Sequence, residues 1–311
     1  MESISTLKID HEDWLKARQC GIGGSDAAAI CGLDTFRTPL DVYEDKTADK
    51  PVRKVKTNAM EAGIRLEDTV AKWWADDNGF KIQKDNKIRV HQKHSFFLAN
   101  IDRLILSQNG EGPGILEATT TNQWAYKSWE DDGAPMYKYC QIQHYFNVTG
   151  HKWGAIAVLV GGSELKSIDV KPNPEFITMM EEKLIDFWVN HVVPRIPPDP
   201  ISSDDIKKLY PVSDPLKEIE ATGETYELLQ EVLKLEEQRK LFEGKEKSLK
   251  VRLKAVFQDA EIMTFEGGTV ATFKTSKERN TFNKKMFGGD YPELLTKYTE
   301  QKPGNRVLLL K

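Results

Sequence analysis

Cysteine is scarce in this chain: three among 311 residues, at Cys20, Cys31 and Cys140. They form no CxxC pair, so neither a zinc site nor a four-cysteine iron–sulfur cluster is supported. Their expected role is that of small apolar residues in a reducing compartment. Long apolar runs are missing too. No stretch approaches the roughly 20 residues that cross a bilayer, and the opening MESISTLKIDHEDW has no apolar signal segment. A cytoplasmic protein is the expectation. Nor is there an excess of basic charge: 44 Lys and Arg stand against 48 Asp and Glu, a formal net charge of −4. That weighs against non-specific coating of nucleic acid. Any DNA binding must come from a local groove or pocket.

What is present is an ordinary globular composition, 39% hydrophobic and 30% charged, with length enough for two domains. A Pro- and Ser-rich stretch at 193–205, VPRIPPDPISSDD, reads as an extended linker. The expected division is a core at 1–195, a linker at 196–213 and an appendage at 214–311. In the appendage, 216–257 reads as a long charged helix or helical hairpin, interrupted at Gly244. Short strands are expected at 262–265, 270–273 and 307–310.

The core is organised around 96–121, FFLANIDRLILSQNGEGPGILEATTT. It reads as a β-hairpin, apolar at 96–99 and 104–106, with a Gly-rich turn at 107–114 and a short strand at 115–116. Asp102 lies in its first half and Glu117 at its end. Two carboxylates brought together by a hairpin can bind a hard cation such as Mg²⁺. The alternative is a turn cap and an ordinary strand-end residue.

Upstream, 11–20 reads as a helix carrying Arg18, followed by GIGGSDAAAICGL. Ser25 and Asp26 are candidate N-caps for a short helix at 27–30, ended by Gly32. Such a turn suits a phosphate, with Arg18 adding a charge-assisted bond, although it lacks the Walker A and dinucleotide spacings. The alternative is a turn needed only for packing. A short helix then starts at Thr38-Pro39-Leu40, 45–56 reads as a charged loop, and 58–78 as a long helix ended by Gly79. Glu67 lies at the edge of that helix's apolar face, and a single strand is expected at 82–90. After the hairpin come helices at 123–129 and 136–149, the second carrying Gln141 and Gln143, either polar positions on an amphipathic helix or donors to a phosphate or a metal-bound water. Strands at 153–160 and 167–170 and a helix at 174–193 complete an α/β core with a mixed sheet.

The order of these pieces resembles the YqaJ-type viral recombinases, relatives of phage lambda exonuclease in the PD-(D/E)XK nuclease superfamily, over 14–193. The resemblance implies a restriction-endonuclease-like core, a mixed β-sheet flanked by helices, with a C-terminal helical and small β appendage. It implies a Mg²⁺-dependent (or Mn²⁺-dependent) 5′-3′ exonuclease on double-stranded DNA ends in a phage or prophage context. The 3′ single strands it leaves would pass to a single-strand annealing protein, and a ring trimer is the implied assembly. Residue by residue, Arg18 and Ser25 match the 5′-phosphate site. Glu67 matches the helix glutamate that follows a glycine, here Gly63, and Asp102 the metal-binding aspartate. Glu117 matches the acid of an E-x-K strand, Ala118 the residue whose carbonyl faces the metal, and Gln141 the helix glutamine, with Gln143 close by.

One position departs. Where the family has lysine, which activates the attacking water and offsets negative charge, this chain has Thr119. Attenuated turnover is the expectation, since losing such a group lowers a rate by about a hundred- to a thousandfold. Three accounts stay open: an engineered change, a natural loss of catalysis with DNA-end binding kept, or a lysine from elsewhere, with Lys127 the nearest downstream. The alternative function is an inactive DNA-end-binding or recruitment module. A Cas4-like endonuclease is disfavoured by the lack of a cysteine cluster.

Overall fold

The computed structural model describes residues 3–7, 9–51, 57–106, 112–301, 304 and 306–310. The chain forms two units, Met1–Leu209 and Tyr210–Lys311. The first begins with β1 (Ser3–Ser5), α1 (His11–Gln19), α2 (Gly24–Ile30), α3 (Pro39–Thr47) and α4 (Asn58–Asn78). Next are β2 (Ile82–Lys84), β3 (Lys87–Val90), β4 (Leu98–Ala99), β5 (Arg103–Ile105) and β6 (Gly114–Thr121). It closes with α5 (Gln123–Asp132), α6 (Met136–Thr149), β7 (Gly154–Val160), β8 (Glu164–Val170), α7 (Pro174–Phe187) and α8 (Ser203–Leu209).

The main sheet has five strands in the order β2-β5-β6-β7-β8. Only β6 and β7 are parallel, and α5 and α6 make the crossover that a parallel pair requires. All of β7, GAIAVLV, is buried. Ile156, Val158 and Val160 pack in the core shared with α2, α6 and α7, while Ala155, Ala157 and Leu159 pack against α4. A strand covered on both faces reads as a continuous apolar run, as this one does. On α4, the buried stripe Val70, Ala71, Trp74 and Ala75 meets Leu116 and Ala118 of β6. The helix stops at Gly79, whose φ of 69° suits glycine.

Several elements differ from expectation. Residues 82–90 are two strands in two sheets: β2 edges the main sheet, and β3 is central in a three-stranded sheet, β1-β3-β4. The break falls at Asp85-Asn86, where the buried Asp85 carboxylate turns back to Arg89 at 2.7 Å. The hairpin is narrower than 96–121, because β4 pairs with β3 and only β5 pairs with β6. Residues 107–111 of its expected turn lie outside the described residues. Strand β6 is longer than expected, because its β-branched threonines extend it to the Thr121–Val160 pair with β7. Glu117 is therefore mid-strand. Of the expected charged loop, 45–47 belong to α3, and 52–56 lie outside the described residues. The helix expected to run to 193 leaves α7 as a π-helical turn, Trp188–Val192. The expected linker contains α8, where buried Asp205 accepts from Thr38 Oγ1 at 2.7 Å and so ties this stretch to the start of α3.

The second unit contains α9 (Gly223–Phe257), β9 (Ile262–Phe265), β10 (Gly268–Thr272), α10 (Lys284–Asp290) and α11 (Pro292–Lys297). Helix α9 runs unbroken through Gly244. One glycine costs about 1 kcal/mol, which flanking ion pairs such as Arg239–Glu243 and Lys250–Glu246 help to offset. Strands β9 and β10 form a hairpin that turns at Gly267, φ 82°. The strand expected at 307–310 is not formed among the described residues. No helix among the described residues is long and apolar enough to cross a membrane.

Candidate active site

Asp102 immediately precedes β5, and its Oδ2 accepts the Ala118 N–H at 2.9 Å. The N–H and C=O of one strand residue project toward the same edge, so the Ala118 carbonyl is directed to the Asp102 side as well. Glu117 lies on the opposite face of β6 from Leu116 and Ala118, 3% exposed. Its Oε1 accepts from Lys138 Nζ at 2.8 Å and from Gln141 Nε2 at 2.8 Å. Its Oε2 is buried with no hydrogen-bond partner among the described residues. Gln141 Nε2 also donates to the Tyr145 hydroxyl at 2.9 Å, and its Oε1 accepts from Lys138 at 3.4 Å. Lys138, Gln141 and Tyr145 thus form one stripe of α6, at spacings of three and four.

Burial, then the charges of Glu117 and Glu67, raise the Asp102 carboxyl well above the usual carboxylate range. Burial alone would lower Lys138, but the Glu117 carboxylate outweighs it and holds the ammonium above its ordinary value. An orphaned carboxylate oxygen, a carboxyl whose ionisation its neighbours oppose, and a main-chain carbonyl at the same edge together suit a hard cation. Glu67 lines a second cavity together with Asp102. Its Oε1 accepts from the buried Arg103 at 2.9 Å, and Arg103 also donates to the Asp102 carbonyl at 2.6 Å. Among the described residues no three His, Cys, Asp or Glu side chains cluster as a metal nest. Asp102, Glu117 and the Ala118 carbonyl are the donors at this edge, and Glu67, at the Asp102 cavity, is engaged by Arg103.

The anion side of the site comes from α1 and α2. Arg18 stacks over Trp14, 4.9 Å from the ring centroid, with Nη2 3.5 Å from Ser25 Oγ. Neither Ser25 nor Asp26 is the N-cap; Gly23 is, and it donates its N–H to Asp26 Oδ2 at 3.1 Å. Asp26 is drawn inward instead, between Lys46 at 2.7 Å and Arg37 at 2.8 Å. Burial would raise its carboxyl, but Lys46, Arg37 and Arg18 outweigh that and hold it below the usual range. Arg18, Ser25, Asp102 and Gln141 line one cavity of about 240 Å³. The close approach of α2 to α6 depends on Gly24: a Cβ there would meet the Tyr145 ring at 2.6 Å and Gln141 Cγ at 2.9 Å.

Gln143 does not reach this cavity. Two positions on from Gln141 it leaves that face, is fully buried, donates to the Lys171 carbonyl at 2.8 Å and accepts from the Asn173 N–H at 2.8 Å. It fastens α6 to the connection between β8 and α7. Thr119, half-buried, shares the strand face of Glu117. Lys127 is exposed on α5, and the lysine that meets Glu117 is Lys138. The sequence held a signal for it, since Lys138 lies three residues before Gln141 and so on the same helix face. Lys46, Arg37 and Arg103 had no comparable signal, because each arrives from a separate element.

The YqaJ-like viral recombinase domain profile matches residues 13–152. The protein named YqaJ of Bacillus subtilis strain 168 is 31% identical over 300 residues, covering 94% of this chain and 92% of that one. This chain belongs to the YqaJ-like viral recombinase family. The YqaJ-like domain spans α1 to α6 and so holds Arg18, Ser25, Asp102, Glu117, Lys138 and Gln141. Its fold is that of the alkaline exonuclease LHK-Exo from Laribacter hongkongensis, with TM-score 0.50 and 16% identity over 60% of this chain and 94% of that one. The same exonuclease in complex with dAMP superposes with TM-score 0.50 and 17% identity, over 64% and 97%. At these identities the likeness is one of fold: a mixed sheet flanked by helices.

Proposed function

We propose that this chain is a Mg²⁺-dependent exonuclease that degrades double-stranded DNA from 5′-phosphorylated ends, leaving 3′ single strands for a single-strand annealing protein. The observation that carries this reading is the half-buried Asp102 lining one cavity with Arg18 and Gln141, with the buried Glu117 held by that Gln141 and its Oε2 left without a partner among the described residues. Asp102, Glu117 and the Ala118 carbonyl would hold Mg²⁺, with Mn²⁺ as a substitute and phosphate and water as the remaining ligands. When bound, the ion supplies a more nucleophilic water and offsets charge on the phosphate.

The chain's own residues do the rest. Arg18, braced on Trp14, and Ser25 grip the terminal 5′-phosphate through charge-assisted hydrogen bonds. Holding that phosphate sets the distance to the next phosphodiester and hence the polarity. Tyr145 holds Gln141, and Gln141 holds Glu117. Glu67, through Arg103, steadies the main chain at Asp102. In the reaction a water oxygen bonds to phosphorus and the P–O3′ bond breaks. One water proton ends on O3′ and the other goes with the new terminal phosphate. The products are a 5′-mononucleotide and a strand with a fresh 5′-phosphate, which is the next substrate. A ring trimer around the duplex belongs to the same reading and is checked by mass in solution.

The test is resection in Mg²⁺ of linear duplex with a 5′-phosphate, linear duplex with a 5′-hydroxyl, and a closed circle. Fast resection of the first, slow resection of the second and an intact circle are expected. A cut circle makes the protein an endonuclease. Binding of 5′-phosphorylated ends with no resection makes it an end-binding module.

A further inference from the structure

The strand that carries Glu117 has Thr119 as its next residue on the same face. A threonine hydroxyl brings no charge. Yet Glu117 is not without a cation of its own, since Lys138 of α6 meets its Oε1 at 2.8 Å. Its side chain is 14% exposed and that of Glu117 4%. A lysine so withdrawn from water keeps its charge only if its ammonium is paired, and here its hydrogen-bond partners are Glu117 and Gln141. By holding Oε1, Lys138 and Gln141 leave Oε2 as the oxygen free to face a cation or a water.

We infer that Lys138 is the site's ammonium: a positioning residue that fixes Glu117 and offsets the negative charge that develops on the phosphate, in the place where β6 offers Thr119. This rests on the nuclease reading above. The charge comes from a neighbouring helix instead of the strand. The two origins are interchangeable in principle, because residue 119 shares the strand face of Glu117, on which the Lys138 ammonium already sits. On this inference the chain needs no lysine at 119 to turn over, which replaces the attenuation expected from sequence.

The experiment compares four full-length proteins on 5′-phosphorylated linear duplex in Mg²⁺: the chain as it stands, Lys138→Met, Thr119→Lys, and the double variant. The unaltered chain is expected to resect. Lys138→Met is expected to lose about a hundred- to a thousandfold, the usual effect of removing one preorganised charged group. The double variant is expected to regain at least tenfold of that loss. A lysine that merely supported the fold would not be rescued from another strand. A second readout needs no turnover: calorimetric titration with Mn²⁺ alone, without DNA. Lys138→Met is expected to bind Mn²⁺ as tightly as the unaltered chain or several-fold more tightly, because a competing positive charge has left.

If Lys138→Met resects like the unaltered chain, the inference is wrong and the nuclease reading stands. If Thr119→Lys alone confers resection, Lys138 does not supply the charge, and the nuclease lineage again stands. If Lys138→Met loses Mn²⁺ binding, the lysine only holds the site together and the inference is overturned. If none of the four resects, the nuclease reading falls and takes this inference with it.

Discussion

The Lys138 ammonium and the Glu117 carboxylate meet at 2.8 Å in a cleft that buries both. Breaking one side of such a pair strands the other. Glu117→Gln is expected to lower stability by about 3 kcal/mol, since it leaves a buried ammonium without its nearest counter-charge. Resection should fall at least a hundredfold, a loss expected from removing a metal-holding carboxylate. Thermal unfolding and the resection assay check the two effects separately. An unchanged unfolding temperature would mean that water reaches Lys138.

Stability toward acid should report on His144. Its ring is fully buried, Nε2 donates to the Ile22 and Leu98 carbonyls at 3.2 and 3.1 Å, and burial pushes it from 6.5 down to about 4. The unfolded chain therefore binds the proton first. The His144 contribution is complete above about pH 6.5 and is lost as pH falls toward about 4, amounting to about 3 kcal/mol at most. Asp102, raised chiefly by burial, acts with the opposite sign above its ordinary value, so stability it contributes at low pH fades as pH rises. Asp26, held low, matters only below the ordinary carboxylate value. The His144 effect is thus read as the difference in urea-unfolding free energy between the unaltered chain and His144→Gln, across pH 7 to 4. A difference independent of pH would refute it.

Arg18 and Gln143, both phosphate candidates by sequence, should separate cleanly. Arg18→Ala is expected to reduce the preference for a 5′-phosphate over a 5′-hydroxyl by about ten- to a hundredfold, the worth of a hydrogen bond to a charged group. Gln143→Ala should leave that preference alone and cost about 2 kcal/mol in stability, because the Lys171 carbonyl and Asn173 N–H lose their partner. Competition binding with the two duplexes and thermal unfolding tell them apart.

Gly24→Ala tests the packing of α2 on α6. The added methyl would sit 2.6 Å from the Tyr145 ring and 2.9 Å from Gln141 Cγ. Overpacking of this kind costs about 1–3 kcal/mol. Because the methyl presses on Tyr145 and Gln141, which hold Glu117, resection should fall more steeply than stability does. A variant that loses stability but resects at the original rate would show that the Gln141–Glu117 bond is dispensable.

Much of the fold was legible because local chemistry set it. The apolar stripe and terminal glycine of 58–78 specify α4, and the run at 154–160 specifies a strand buried on both faces. The division of 82–90 was hidden, because β2 and β3 differ in their partners rather than in their residues. Of the residues singled out by sequence, Asp102, Gln141, Arg18 and Ser25 line one cavity, and Glu117 joins them through Gln141. Gln143 was misplaced because two positions along a helix mean a different face.

The sequence by itself determined most of the elements, the two carboxylates on either side of the β5–β6 connection, and the lack of a lysine beside Glu117. Each is a property of neighbouring residues and their periodicity. Only the tertiary structure decided that Lys138 answers Glu117, that Lys46 and Arg37 neutralise Asp26, and that Glu67 is spent on Arg103. Those pairings join residues 11 to 36 positions apart: Arg103 reaches Glu67 across 36 positions and Lys138 reaches Glu117 across 21. A buried charge takes whichever partner the packing brings within about 3 Å, and no local pattern encodes that choice.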